Sequence, residues 1–342
     1  MSRTESLCWS GGLAGMALAG WLATVAAPAS VWARWPLAAP ITLALILVAA
    51  VYLRGARAEP AGRRTAFLGG LAVVFLALQS PLAAMALHSF AIDAAVQMLL
   101  RTVAPALLVL SAPVPALRAG LGLPPASRRW NLGGATVATL AFVGTAYVWA
   151  WPAARDWAVL SGTGRAVMAG CFLGSGLLFF RTLFDLRPEP AGPGIGTRLL
   201  MVWGAELGNV VLGYFLTYVS VPLYPAYATR GLWFGVSGLT NEIFGGQTWW
   251  LCDTAAIGLA AMVVIFRWAR DEDRLRGRRH WLEHDKTTRQ ARQRAANRRV
   301  VFGLLGFVTM ILGVIGASVA VYEVGYHRAV GHGPAVSVNQ IP

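Results

Sequence analysis

The chain has 342 residues, of which 56% are hydrophobic, 13% are charged and 14 are tryptophan. An ordinary soluble domain is about 25% charged, so this composition excludes one. The net charge of +14 would suggest nucleic-acid binding in a soluble protein. Here the basic residues lie between apolar runs, where membrane topology and anionic headgroups explain them. We therefore expect a membrane protein that contacts membrane lipid and does not bind nucleic acid.

Hydrophobic runs follow one another along the whole chain. Most have about 18–25 residues, the length at which an α-helix crosses a hydrocarbon core of about 30 Å. Nothing shows the ten-residue alternation of a membrane β-barrel, and lipid otherwise requires helices. The sequence predicts an all-α polytopic transmembrane bundle with about nine spans, near residues 7–27, 36–53, 65–87, 92–115, 132–152, 163–182, 198–222, 248–268 and 300–322.

Most of the 29 lysine and arginine residues lie in alternate gaps between these runs. Cytoplasmic loops of membrane proteins are enriched in both residue types. The N-terminus and the basic gaps are therefore predicted to be cytoplasmic, and the C-terminal tail exterior. The gaps predicted to be exterior, with the tail, hold only Arg34, Arg155, Arg165, Arg230 and Arg328.

The predicted organisation has four segments and no separate soluble domain. The first segment is a retained span or a signal-like sequence, because its apolar stretch ends in small residues. The segments are residues 1–35, the seven-helix membrane core 36–275, the basic cytoplasmic segment 276–299, and the last span with its exterior tail, 300–342. Within the core, residues 223–247 are rich in aromatic residues and glycine, which predicts a structured cap at the exterior interface.

Polar residues inside spans are costly unless they are paired or face water, so they are the strongest functional signals. Asp93, Gln97 and Arg101 recur every four residues and form one stripe along the fourth run. Pro105 follows one turn deeper and predicts a kink or widening of that helix. Asp253 lies in the eighth run at a depth compatible with Arg101, which predicts a buried ion pair between them.

Two alternatives for the polar groups remain open from the residues alone. Asp93, Asp253, Glu242 and His88 could line a water-filled vestibule open to the exterior, in place of the ion pair. Glu206 and Asn209, three residues apart in the seventh run, fit either a proton or ion relay or polar contacts between packed helices.

Copper is the metal considered, because imidazole, thioether and thiolate are its preferred ligands. The candidate ligands on the exterior side are His88, Met98, Cys252, His327 and His332. None of them shows a specific metal-ligand spacing, and no cysteine pair has CxxC spacing. The sequence has no HExxH motif, no nucleophile elbow with a plausible base and no paired catalytic carboxylates, so enzyme activity is not expected.

Several segments together resemble one family of membrane proteins. The segments are VAPALLVLSAPVPALR at 103–118, SGLLFFRTLFD at 175–185, VPLYPAY at 221–227 and NEIFGGQTWWLCD at 241–253. In order and spacing they resemble the CtaG family, bacterial integral-membrane factors for assembly of caa3-type cytochrome c oxidase, implicated in copper delivery. The similarity covers roughly residues 40–275 and implies a seven-helix core in a bacterial inner membrane.

The chain departs from the family where the family's histidines are expected. The resemblance implies outer-side histidines or acidic ligands at positions held here by other residues: Asp93, Gln97, Ala150, Arg165, Met168, Ala169 and the segment 241–243. Carboxylate oxygens are poor ligands for Cu(I). The resemblance therefore implies the framework of the family without its usual histidines.

Three functions are consistent with these features. The first is an assembly or biogenesis factor for a copper-containing cytochrome c oxidase, with oxidase subunits as partners and copper insertion at the outer face. The second is a non-catalytic accessory subunit of a respiratory membrane complex on the same scaffold, which the histidine losses favour. The third is a small-molecule or ion permease, although no inverted repeat is present.

Overall fold

The computed structural model describes residues 37–123, 132–185, 187, 192–233 and 235–280, and for 271–280 only the backbone. The predicted first span, the ninth span and the exterior tail lie outside the described residues. The residues described up to Arg267 belong to one compact unit, and the account below concerns that unit. The division into four segments stays a prediction.

All regular elements in the described part of the chain are helices, which confirms the all-α prediction. In chain order they are α1 (Ala39–Gly55), α2 (Ala61–Gln79), α3 (Pro81–Met85), α4 (Phe90–Met98), a π-helical turn (Leu99–Val103), α5 (Ala104–Leu110), α6 (Pro113–Gly120), α7 (Leu132–Ala150), α8 (Pro152–Leu160), α9 (Gly162–Leu183), α10 (Ile195–Thr217), α11 (Pro225–Arg230) and α12 (Gly238–His280).

Five spans are long and apolar enough to cross a membrane, so the chain is a membrane protein. They are α2, the composite of α4 to α5, α9, α10 and the first part of α12. A sixth is possible in length if α7 and α8, bent by 76°, count as one. The helix α1, at 17 residues, is shorter. The number of nine spans is therefore not confirmed.

Helix boundaries differ from the predicted runs where polar or turn residues interrupt the backbone pattern. The run at 65–87 is divided after Gln79, because Ser80 has an extended backbone and its Oγ accepts the N–H of Leu82 as the cap of α3. The predicted cap at 223–247 is largely helical. It contains α11 and the first ten residues of α12, which begins at Gly238. Ser237 accounts for that start, because its Oγ accepts the N–H of Thr240 at 3.1 Å.

The fourth span widens at the place that Pro105 predicts. Proline has no N–H for the carbonyl of Arg101, four residues earlier, and a five-residue π-helical turn occupies Leu99–Val103. The released Arg101 carbonyl faces Gly176 of α9. A Cβ at Gly176 would lie 2.0 Å from that oxygen, so only glycine allows this approach. The predicted widening is confirmed.

The helix α9 lies at the centre of the bundle. It packs against α7, α8, α5 and the π-helical turn. Phe142 of α7 stacks on Phe179 of α9 with ring centroids 4.3 Å apart. Small residues bring other helices together, as where Gly208 of α10 faces Val143 of α7. This close packing surrounds the buried polar residues that the sequence singles out.

Candidate functional site

Buried polar side chains form three groups in the bundle. Two of them lie at the helix ends that carry residues 79–93, 150–165 and 218–242, which we call the Asp93 end. The other lies deeper, around Arg101. Each group joins helices that are far apart in sequence, so each fixes the position of one helix against others.

Asp93, in the first turn of α4, is the centre of the first group. Its Oδ2 accepts hydrogen bonds from Gln97 at 2.6 Å, from Arg155 at 2.9 Å and from the hydroxyl of Tyr227 at 2.7 Å. Its Oδ1 lies 2.8 Å from Nη1 of Arg165. Both oxygens are therefore engaged by protein groups, two of them cationic. We call these five residues the Asp93 cluster.

Four elements supply the Asp93 cluster. Gln97 lies one turn from Asp93 on α4, while Arg155 lies on α8, Arg165 on the first turn of α9 and Tyr227 on α11. The sharp bend between α7 and α8 returns the chain across the end of the bundle and directs Arg155 inward. Asp93 and Arg155 have no exposed side-chain surface. An ion pair removed from water in this way is tolerated only with additional hydrogen bonds. Gln97 and Tyr227 supply them to Asp93, whereas Nε and Nη2 of Arg155 have no hydrogen-bond partner within the described residues.

Aromatic rings enclose the guanidinium of Arg155. Its Cζ lies 5.1 Å from the ring centroid of Phe90, 5.7 Å from that of Tyr224 and 5.9 Å from that of Trp249. A cation near the faces of several rings is stabilised by their quadrupoles, more strongly when water is excluded. The rings therefore compensate part of the cost of burying this charge.

Tyr224 and Tyr227, in the segment before α12, are neutral hydrogen-bond donors at ordinary pH. Burial raises the pKa of Tyr224 to about 12, and burial together with the nearby Asp93 carboxylate raises the pKa of Tyr227 well above its usual value. The Tyr224 hydroxyl donates to the carbonyl of Ala150 at 2.7 Å. The loop is thus held to α4 and to the end of α7 by phenol groups that keep their protons.

Arg101 forms the second, deeper group. Its Nη1 lies 3.2 Å from Oδ2 of Asp253, and both side chains are fully buried, so the predicted ion pair is present. Nη2 donates to Oδ1 of Asn209 at 2.8 Å and to the carbonyl of Phe142 at 3.0 Å. Thr102 donates to the other oxygen of Asp253 at 2.9 Å. Asn209 therefore joins α10 to the fourth span through Arg101.

Glu206 is a buried carboxyl near this group. It lies one turn before Asn209 on α10 and is 1% exposed. Neither of its oxygens has a hydrogen bond of good geometry within the described residues. The ion pair of Arg101 with Asp253 is already neutral, so a charged Glu206 would add an uncompensated buried anion.

Glu242, near the start of α12, forms the third group. Its two oxygens accept the backbone N–H groups of Leu223 and Tyr224, each at 2.7 Å. The preceding Asn241 accepts the N–H of Phe90, at the start of α4, at 2.9 Å. The side chains of Asn241 and Glu242 therefore join the start of α12 to the loop and to α4.

The vestibule alternative does not agree with these contacts. It requires Asp93, Asp253, Glu242 and His88 to face a common water-filled space. The three carboxylates are buried and are bonded in three separate groups. His88 lies apart from them, with Nδ1 2.8 Å from the carbonyl oxygen of Gly231 and its ring stacked on Trp233 at 4.3 Å.

The proposed metal ligands are not brought together where they are described. His88 lies in the turn before α4, Met98 is a buried core residue, and Cys252 is exposed on α12. Within the described ranges no three histidine, cysteine, aspartate or glutamate residues are grouped closely enough to hold a metal ion. His327 and His332 lie outside the described residues.

Sequence reasoning missed Arg155 and Tyr227 as members of the site. Their contacts with Asp93 join residues 62 and 134 positions apart, and no periodic pattern reports such distances. One signal was present in the sequence. Arg155 and Arg165 are among the few basic residues in gaps predicted to be exterior, where topology alone gives no reason for an arginine.

The comparisons with known proteins agree with this framework. A family model described as cytochrome c oxidase caa3 assembly factor (Caa3_CtaG) matches residues 43–271. The chain belongs to this family. No curated protein and no solved structure matches it. The matched residues comprise all three polar groups, so the site lies in the family's own framework.

Positions where the resemblance implies metal ligands do come together in this CtaG-family chain. Asp93 and Arg165 form an ion pair, Gln97 bonds to Asp93, and the sulfur of Met168 lies 4.0 Å from Nη1 of Arg155. A guanidinium pair occupies this place and repels cations. The arrangement stabilises the end of the bundle and has no free carboxylate for a metal.

Two concave regions lie at the Asp93 end. A cavity of about 240 Å³ is lined by Asp93, Gln97, Arg165 and Arg230 together with apolar side chains. A wider groove of about 520 Å³ lies between the start of α4 and α12, and Asn241, Phe244, Gln247 and Cys252 are among its lining residues. We call these the Arg165 cavity and the Phe244 groove.

Proposed function

We propose that this protein assists assembly of cytochrome c oxidase by holding an unassembled oxidase subunit at the Asp93 end, which we assign to the exterior face of the bacterial inner membrane. Its membership in a family of oxidase assembly factors supports the oxidase as partner. The predicted topology supports the exterior face. The role is one of binding, without a chemical reaction at the protein.

The observation that carries the proposal is the Phe244 groove. It presents a half-exposed aromatic ring beside amide groups of Asn241 and Gln247. An exposed aromatic anchor next to polar groups is typical of a surface that binds another polypeptide. One wall of the groove is held in place, because Oδ1 of Asn241 accepts the N–H of Phe90, the first residue of α4. A subunit segment can therefore bind without prior reorganisation of the end.

In this proposal copper is the metal delivered to the oxidase subunit, and it does not bind at the Asp93 cluster. Oδ2 of Asp93 accepts three hydrogen bonds, and Oδ1 lies within ion-pair distance of Arg165, so the guanidinium groups of Arg155 and Arg165 already face this carboxylate. Cys252 is the thiol that lines the Phe244 groove, and thiolate suits Cu(I). We propose that copper reaches the docked subunit beside Cys252.

Docking is tested by exchanging one of two exposed phenylalanines of α12 for alanine. Phe244 is 48% exposed and lines the groove, while Phe266 is 60% exposed near the other end of the same membrane span, Gly238–Arg270. In cells lacking the chromosomal copy, we expect Phe244→Ala to lower oxidase abundance and co-purification of an oxidase subunit severalfold. Phe266→Ala should restore both to the wild-type level. Equal oxidase abundance and equal co-purification with the two variants would contradict docking at the Phe244 groove.

Copper is tested by mass spectrometry of protein purified under reducing conditions after copper loading. We expect about one copper per chain, lost in Cys252→Ser and retained in His327→Ala/His332→Ala. Copper that is lost in the double histidine variant and retained in Cys252→Ser would place the copper site in the tail. Wild-type protein without copper would contradict the cargo role.

The accessory subunit is the second candidate, and a specific observation favours it. The Asp93 cluster replaces the implied histidines with a bonded ion cluster, which keeps the framework and removes its ligands. A permanent subunit would co-purify at a one-to-one ratio with the mature, haem-containing complex. An assembly factor would co-purify with the immature subunit and be absent from the mature complex.

A further inference from the structure

The Arg165 cavity combines two chemistries that the assembly role does not use. Most of its wall is apolar, and Leu78, Leu87, Val96, Leu100 and Phe172 are among the lining residues. One side carries the charged groups Asp93, Arg165 and Arg230. With two arginines and one carboxylate, this charged side has a net charge of +1. A ligand that satisfies both parts is anionic at one end and apolar along its length.

Hydrogen-bonding capacity remains free on the charged side. Nη1 and Nη2 of Arg165 are buried and neither has a hydrogen-bond partner of good geometry within the described residues, although Nη1 lies 2.8 Å from Oδ1 of Asp93. Gln97 is fully buried, and its Oε1 is also without a partner there while its Nε2 donates to Asp93. Buried polar atoms of this kind are normally bonded, so a ligand or ordered solvent is expected beside them.

The other nearby acidic groups do not neutralise this side. Asp156 accepts the N–H of Ala226 at 3.3 Å, and Glu242 accepts two N–H groups of the loop. Neither lines the cavity. Arg230 donates from Nη2 to the carbonyls of Val159 and Leu160, at 3.1 Å each. Those contacts fix its position, and no carboxylate within the described residues forms an ion pair with it.

We propose that the Arg165 cavity binds one anionic phospholipid, with the phosphate on Arg165 and Arg230 and an acyl chain along the apolar wall. Guanidinium groups bind phosphate oxygens through two parallel hydrogen bonds. A headgroup hydroxyl can donate to the free Oε1 of Gln97. The cavity, at about 240 Å³, is below the usual range of about 300–1,000 Å³ for enclosed small-molecule sites. It therefore holds part of one chain, and the rest lies in the surrounding bilayer.

The charge and the shape of the site can be changed separately. Arg165→Gln removes the phosphate contact while Asp93 keeps Arg155, Gln97 and Tyr227, so the fold is retained. Ala84→Phe fills the apolar part without changing a charge, since Ala84 lines the cavity. The control is Arg181→Gln, which removes an exposed arginine at the opposite end of the same helix.

The experiment measures phosphatidylglycerol retained by purified full-length protein in mild detergent, by native mass spectrometry. We expect about one lipid per chain for wild type and Arg181→Gln, and at least about tenfold weaker retention for Arg165→Gln and Ala84→Phe. Phosphatidylcholine, which has no net charge, should not be retained. Equal retention by all variants would mean only non-specific annular lipid and would overturn the proposal.

A free anion is distinguished from a lipid headgroup by adding inorganic phosphate. Phosphate should displace the lipid only weakly, because it makes no contact with the apolar wall. Full displacement at equal concentration, or binding of phosphate to Ala84→Phe as tight as to wild type, would overturn the lipid assignment. The assay contains no oxidase, so its failure leaves the proposed assembly role separately testable.

Discussion

Single buried residues decide which contacts hold the helices in register. Arg101 is bonded to Asp253, Asn209 and the carbonyl of Phe142, and its Cζ lies 3.8 Å from the Phe142 ring centroid. A pair of this kind contributes little compared with apolar residues of similar volume. Removal of one partner is costly, because the other charge is left buried without compensation.

Arg101→Leu should therefore lower the free energy of unfolding by about 3–5 kcal/mol, because it strands the Asp253 carboxylate. The double variant Arg101→Leu/Asp253→Leu should recover most of that loss. Thermal unfolding in detergent measures both, with Arg63→Leu as control, since Arg63 and Glu59 form a partly exposed pair worth at most about 1 kcal/mol. An unchanged unfolding temperature for Arg101→Leu would contradict a stabilising role for the Arg101–Asp253 pair.

Glu206 is another single buried residue, but its substitution is expected to have little effect on stability. If its carboxyl carries a proton, Glu206→Gln preserves shape and charge and should change stability by less than about 1 kcal/mol. Infrared spectroscopy should show the carbonyl band of a protonated carboxylic acid in wild type and lose it in Glu206→Gln. A variant that is strongly destabilised, or a wild-type spectrum without the band, would show that Glu206 is charged.

At the scale of the element, the fourth span shows how one proline acts on another helix. Pro105 frees the Arg101 carbonyl, the backbone widens at Leu99–Val103, and Gly176 of α9 packs against the freed oxygen. The widening was predictable because its cause lies within four residues. The contact with α9 was not, because nothing in a local pattern specifies which helix faces the widened turn.

Gly176→Ala should destabilise the bundle by about 1–3 kcal/mol, because its Cβ would lie 2.0 Å from the Arg101 carbonyl oxygen and 2.7 Å from Pro105. Gly174→Ala is the matched control on the same helix, since a Cβ there meets no atom within 4 Å. That substitution should be neutral or stabilising by up to about 1 kcal/mol, as alanine favours helix. Equal unfolding temperatures for the two variants would contradict the close approach.

The same contrast between near and distant causes explains how far the sequence predicts the site. The Arg101–Asp253 pair follows from depth in the membrane, because a buried cation in lipid needs an anion at its own level. Arg155 and Tyr227 depend on the bend between α7 and α8 and on the position of α11. These arise from packing at the end of the bundle, and the run lengths carry no information about them.

At the scale of the whole molecule, the three polar groups and both concave regions lie on the same compact unit, and two groups lie at the Asp93 end. The apolar outer surface of the helices, with exposed side chains such as Leu43, Leu140 and Leu200, is suited to lipid. The three polar groups therefore lie at one end of this unit and in its interior. The side of the membrane on which that end lies determines which partner it can meet.

The distribution of arginines predicts that the Asp93 end is exterior, because basic loops remain cytoplasmic. Single cysteines replacing Trp151 and Glu59, in a variant without the native cysteines, test this in intact cells. Trp151 is 69% exposed at the bend after α7, and Glu59 lies in the basic turn between α1 and α2. A membrane-impermeant maleimide should label Trp151→Cys in intact cells, and Glu59→Cys only after permeabilisation. The reverse labelling would place the Phe244 groove in the cytoplasm, where it could not meet an exterior oxidase segment.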